Sequence, residues 1–128
     1  MMNSYSENSP VVLLVEDEPL VRMAAADDLQ EAGFHVLEAA NADVALAVLE
    51  ACSDDVQVLF TDVDMPGSMN GLDLAKNVQQ RWPHISLLIS SGYHRPQPAQ
   101  LPRPGCFLTK PYCSDDVVHK IRTLVRNH

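Results

Sequence analysis

The sequence predicts an α/β fold in which a five-stranded parallel sheet carries helices on both faces. Three observations point there. Short β-rich runs alternate with helix-period segments five times along 128 residues, the pattern of strands joined by crossover helices. The first run, Val11 to Val15, is apolar throughout, as a strand buried on both faces must be. The length is that of one ordinary domain, and 46% hydrophobic against 20% charged residues allows a substantial core.

The elements follow in order. Residues 1–10 form a polar tail without the basic-then-apolar pattern of a signal peptide, and the domain proper runs over 11–128. After the strand at 11–15, Pro19 suits a first helical turn, and the helix runs to about Ala32 with Gly33 as its stop. "FHVLEA" (34–39) is the second strand. Asn41 caps a helix over 42–52. "VQVLFT", ending at Thr61, is the third strand, and 71–82 is a helix closed by Pro83. "ISLLIS" (85–90) and "GCFLT" (105–109) are the fourth and fifth strands. Ser114 caps a last helix with an apolar stripe of Val117, Val118, Ile121, Leu124 and Val125. Prolines at 96, 98, 102 and 104 break the pattern between strands four and five. They leave room for at most one turn of helix around Ala99–Leu101, so the crossover helix there is expected to be short or disordered.

Composition excludes several functions. A net charge of −8 repels a phosphate backbone, so no nucleic-acid binding is expected. No apolar run is long enough to span a membrane. Cys52, Cys106 and Cys113 have neither metal-ligand nor C-x-x-C spacing and read as free thiols of a reducing cytoplasm. The charge is uneven: residues 1–62 hold thirteen acids and one base, Arg22, while residues 63–128 hold four acids and eight bases.

In such sheets ligands bind beyond the carboxyl ends of the strands. There the chain places Glu16 and Asp17 after strand one, Asp62 after strand three, Ser90 after strand four and Lys110 after strand five. Converging carboxylates repel one another unless a cation joins them. Mg2+ suits this set, because it needs only one or two carboxylates plus waters and phosphate oxygens. Each group also has a plain structural reading. The acids serve as helix caps or solvated loop residues, Ser90 as a turn residue, and Lys110 as a solvated side chain. Their occurrence at successive strand ends favours a joint role.

"LLVEDEP", "TDVDMPG", "ISSGY" and "FLTKPY" together resemble the receiver domain of bacterial two-component response regulators, over residues 11–126. The resemblance implies a doubly wound, flavodoxin-like sheet in the order 2-1-3-4-5. It implies that Asp62 is the phosphoacceptor, taking a phosphoryl group from a histidine kinase or histidine phosphotransfer protein. Asp17 and Asp62 would ligate Mg2+ (or Mn2+), Glu16 would act through water, and the main-chain oxygen of Asp64 would complete the protein ligands. Ser90 and Lys110 would hold phosphoryl oxygens. Phe107, three residues before Lys110, matches the family's aromatic switch, filling space that Ser90 vacates; its plain reading is core packing. Asp64 and Gly92 lie where the family tunes hydrolysis.

The chain departs from the family pattern in three places. Ser90 stands where threonine is commoner. "MPGSMNG" (65–71) is one residue longer than the shortest family loops. The proline-rich segment should erode the fourth-helix surface used for dimerisation, whereas the first helix and the Lys110–Cys113 turn, where family kinases dock, look intact. A cytoplasmic receiver, either stand-alone or cut from a larger protein, is expected, acting on an unnamed protein target and catalysing only its own phosphorylation and dephosphorylation. The alternatives are a receiver-like module that binds without phosphorylation, and a small phosphatase of the haloacid-dehalogenase type using Asp62-Val63-Asp64 as its D-x-D.

Overall fold

The computed structural model describes residues 9–65, 69–91, 105–110 and 112–126. Strand β1 (Val11–Val15) leads into α1 (Pro19–Glu31), followed by β2 (His35–Ala39), α2 (Ala42–Cys52), β3 (Val58–Asp62), α3 (Gly71–Arg81), β4 (Ser86–Ser91), β5 (Gly105–Thr109) and α4 (Ser114–Arg126). All strand pairs are parallel, in the order β2-β1-β3-β4-β5. The expected architecture is therefore present. The expectations for the loop around Pro66–Ser68, for Gly92, and for a short helix around Ala99–Leu101 lie outside the described residues, as does most of the N-terminal tail.

Side-chain alternation divides the core into two layers. Leu13 and Val15 of β1, Leu59 of β3, and Leu87 and Ile89 of β4 face one side, where they pack with Leu49 of α2 and Leu74 and Val78 of α3. Val12 and Leu14, Val58 and Phe60, Leu88, and Leu108 face the other, against Leu29 of α1 and Val117, Ile121 and Leu124 of α4. The stripe expected on the last helix is thus the buried one, with Val118 and Val125 partly covered at its edges.

Local signals set the helix ends. Gly33 has φ +98°, a conformation that costs glycine little. The Gly33 N–H donates to Gln30 O (3.0 Å) and the Phe34 N–H to Leu29 O (3.1 Å), and Phe34 packs into the same core layer as Leu29. This is a Schellman closure with its hydrophobic contact. Asn41 Oδ1 accepts from the Val44 N–H at 2.9 Å, as expected, and Asn70 Oδ1 does the same for Asp73 at the start of α3. The last helix needs a correction. The Cys113 carbonyl accepts from the Val117 N–H, and Asp116 Oδ2 accepts from the Cys113 N–H. Cys113 is therefore the cap and Ser114 the first helical residue. The bond from the Cys113 N–H to Asp116 Oδ2 is the half of a capping box in which the third helical side chain satisfies the cap residue's own N–H. Among the described residues no helix is long and apolar enough to cross a membrane.

Candidate functional site

β3 extends one residue further than expected, so Asp62 is the last residue of the strand, paired in register with Ser90. Its side chain is only 8% exposed. A carboxylate so buried needs compensation, and two groups supply it. Lys110 Nζ donates to Asp62 Oδ2 at 2.6 Å, and the Asp64 N–H donates to Asp62 Oδ1 at 3.1 Å. Lys110 reaches Asp62 because the sheet ladder continues past β5: the Lys110 N–H donates to Ser91 O at 3.0 Å. Burial works against the Lys110 charge. The hydrogen bond to Asp62 and the surrounding negative charge outweigh it, and hold the ammonium above its ordinary pKa.

Glu16 follows β1 directly and is also buried. Its Oε2 accepts from the Glu18 N–H at 2.9 Å. Arg22, the lone base of the acidic half, ties the end of this strand down. Its Nη1 donates to Glu16 O at 2.8 Å and its Nε pairs with Glu38 at 3.3 Å. Burial raises the Glu16 pKa most, and the Glu18 N–H opposes it. A hydrogen-bonding contact with the Asp17 carboxyl and the charges of Asp62 and Asp17 add to the rise.

The expected carboxylates thus lie close enough to repel. Among the described residues, no three His, Cys, Asp or Glu side chains form a ready-made metal cage. The set still fits Mg2+. Hard oxygen donors are present, the charges of Asp62 and Asp17 both press on Glu16, and Mg2+ takes few protein ligands and keeps its waters. Glu16, Asp17 and Asp62, with the main-chain oxygen of Asp64, are the residues that could hold it.

A buried acid whose pKa rises on folding weakens the fold above its unfolded pKa, and the penalty fades as pH falls through the raised value. Glu16→Gln should therefore melt about 3 °C above the wild type at pH 7 without metal. That gap should narrow as the pH is lowered towards 5, and the gain on adding Mg2+ should shrink. Thermal melts across this pH range with and without Mg2+ check all three.

Ser90 requires a correction. Ser90 lines the cleft with Asp62, Glu16, Phe60 and Tyr112. However, β4 runs to Ser91, and its residues alternate between faces. Phe107 pairs with Ile89 and packs on the α2–α3 side, whereas Ser90 pairs with Leu108, which packs on the α1–α4 side. Ser90 and Phe107 therefore do not share a face, and Phe107 cannot fill space behind Ser90. Ser91, of the same parity as Ile89 and Phe107, is the β4 hydroxyl on the Phe107 side. A one-residue step reverses the face of a strand residue.

Tyr112 was not singled out in the sequence. Burial raises its pKa above that of a free phenol, while the neighbouring Ser90 and the charge of Lys110 oppose the rise. Its ring lies 6.4 Å from that of Phe60 at 58°. The available signal was a phenol two residues beyond Lys110, in "TKPY".

A family model described as the response regulator receiver domain matches residues 12–122. The chain belongs to the response regulator receiver family. The receiver is 40% identical over 85 residues to the sensor kinase CckA of Brucella abortus, covering 66% of this chain and 9% of that protein. It is 32% identical over 124 residues to the hydrogenase transcriptional regulatory protein HoxA of Cupriavidus necator, covering 94% of this chain and 25% of that protein. The receiver therefore spans a quarter or less of the length of these curated relatives. Among solved structures, a response regulator receiver domain protein from Clostridium thermocellum superposes with a TM-score of 0.84 at 22% identity, covering 92% of this chain and 95% of that one. That likeness is one of fold.

Proposed function

We propose that this receiver accepts a phosphoryl group on Asp62 from a phosphohistidine of a histidine kinase or histidine phosphotransfer protein. The observation that carries this reading is the buried Asp62 carboxylate held at 2.6 Å by Lys110. A carboxylate oxygen of Asp62 attacks phosphorus as the P–N bond breaks. The electron pair leaves with the imidazole nitrogen, and an acyl phosphate remains on Asp62. No general base is required, since an aspartate is already ionised near pH 7. Lys110 moves from the Asp62 carboxylate onto a phosphoryl oxygen, where it neutralises charge as the transition state forms. Bound Mg2+ would screen the remaining charge between the phosphoryl oxygens and the acidic rim.

The acquired dianionic character then biases the end of β4. Ser91 is the hydroxyl we assign to this switch, with Phe107 behind it on the same face. Leu20, Val21 and Met23 stay exposed on α1, an apolar surface suited to the helices of a phosphodonor protein. The downstream target is a protein whose contact with the receiver changes with the switch.

The test is intact mass after incubation with a small acyl-phosphate donor, with and without Mg2+. One phosphoryl adduct that requires Mg2+ is the expected result. No adduct would favour a phosphorylation-independent binding module, and repeated turnover of a phosphate ester would favour a phosphatase. Lys110→Ala should slow adduct formation by roughly 10²–10³-fold, the scale on which a preorganised charge partner acts. Quenched time courses at fixed donor concentration check it.

A further inference from the structure

We propose that Arg22 is a positioning residue for the cation site: it fixes the peptide that joins Glu16 to Asp17, and so sets how tightly the acidic rim takes Mg2+. This role rests on the Mg2+ reading of the rim and deepens it.

Arg22 is the one Lys or Arg among the first 62 residues, which hold thirteen acids. A positive side chain beside a cation site repels the ion that the site should admit. A base at that place needs another use, and its contacts supply one. The Arg22 side chain is 20% exposed and spans two strands. Nη1 donates to Glu16 O at 2.8 Å, and Nε pairs with Glu38 Oε1 at 3.3 Å. Glu38 lies on β2, in register with Leu14 of β1. The next β2 residue, Ala39, accepts from the Glu16 N–H at 3.0 Å. Both backbone polar groups of Glu16 are thus tied to β2, one directly and one through Arg22. The Glu16 carbonyl belongs to the planar peptide that ends at the Asp17 nitrogen. Holding its oxygen fixes that plane, and with it the direction in which the chain carries Asp17 away from the strand. The Glu16 carboxyl is held separately, by the Glu18 N–H at 2.9 Å. Arg22 is in turn seated in the first turn of α1, its own N–H on Glu18 O at 2.9 Å. Strand end, loop and helix therefore close into one unit. Arg22 supplies no metal ligand and acts through the residues it holds.

Removing Arg22 has two effects of opposite sign. Loss of its charge tightens Mg2+ binding, because one less positive group opposes the ion. Loss of its grip loosens it, and the grip dominates. Arg22→Gln should raise the Mg2+ concentration at half-saturation about 10-fold, the lower end of the cost of losing a residue that orients metal ligands. Arg22→Lys keeps the charge but exchanges the planar fork for a point charge, and should raise it about 3-fold. Calorimetric titration of the metal-free protein with MgCl2 reads both. At saturating Mg2+, adduct formation from a small acyl-phosphate donor should return to within about twofold of the wild-type rate.

An unchanged or lower midpoint in Arg22→Gln, with the wild type binding Mg2+, overturns the positioning role and leaves the Mg2+ reading intact. A lowered melting temperature beside that unchanged midpoint would make Arg22 a structural strut only. If Arg22→Gln does not fold, Arg22→Lys decides, and a wild-type midpoint there overturns the role. A wild type that takes up no Mg2+ defeats the metal reading, and this role falls with it.

Discussion

Asp62→Asn is expected to abolish the phosphoryl adduct while leaving the fold standing. The amide is not a nucleophile towards phosphorus under these conditions, and among the described residues no second carboxylate is shown paired with Lys110. The structural cost should be small because two changes oppose each other. Lys110 loses its charged partner at 2.6 Å, while Glu16 loses one of the charges that press its own proton on. The amide oxygen can still accept from the Asp64 N–H. The net change in stability should lie within about 1 kcal/mol. Intact mass with donor and Mg2+, together with a chemical denaturation curve, reads both parts. An undiminished adduct on the variant would sink the assignment of Asp62. A variant that fails to fold would show that Asp62 is chiefly a structural partner of Lys110.

Gly71→Ala should have the largest effect on the fold itself. Gly71 is the first residue of α3, and its N–H donates to Val63 O at 3.0 Å. A Cβ built there would stand 1.9 Å from the carbonyl oxygen of Asp62 and 2.6 Å from its carbonyl carbon. Those are backbone atoms of a central strand and cannot rotate away. Either α3 must lift or the end of β3 must move. Overpacking of a tight core costs about 1–3 kcal/mol, and a contact this short against backbone should reach at least the upper end. The same displacement carries the Asp62 carboxylate away from Lys110, and a misplacement of about 1 Å can lower a positioned reaction roughly 10²-fold. The expected result is a lower denaturation midpoint with an adduct rate reduced more than stability alone explains. A variant with wild-type midpoint and rate would mean that α3 shifts freely, and that the close approach of Gly71 does not position the site.

The sheet was legible in the sequence because each strand repeats one physical signal, apolar runs bounded by turn residues, and because crossover helices carry their own caps. Asn41 and Gly33 acted as expected for local reasons that need no tertiary knowledge. The site's charged members were legible for the same reason: Glu16, Asp17 and Lys110 follow strand ends, and Asp62 closes one. What escaped depends on single-residue precision or on distant contacts. Two serines end β4, and which faces Phe107 turns on whether the strand stops at 90 or 91. Propensity favoured Ser114 over Cys113 as a cap, but the side chain of Asp116 reversed the order. The contact of Gly71 with Asp62, the packing of Tyr112 beside Phe60 and the grip of Arg22 on Glu16 join segments whose relation only the folded chain defines.

The ion pair at the site joins residues 48 positions apart, and Lys110 follows β5, an edge strand of the sheet. This separation orders events during synthesis. A ribosome that has released β1 through β3 has already presented Glu16, Asp17 and Asp62, with no lysine opposite them. Charge balance at the rim arrives only when the last strand docks, a non-local pairing of the kind that forms slowly. If Asp62 is the phosphoacceptor proposed above, competence to take a phosphoryl group is tied to completion of the fold, and a partly made or partly opened chain stays silent to its donor.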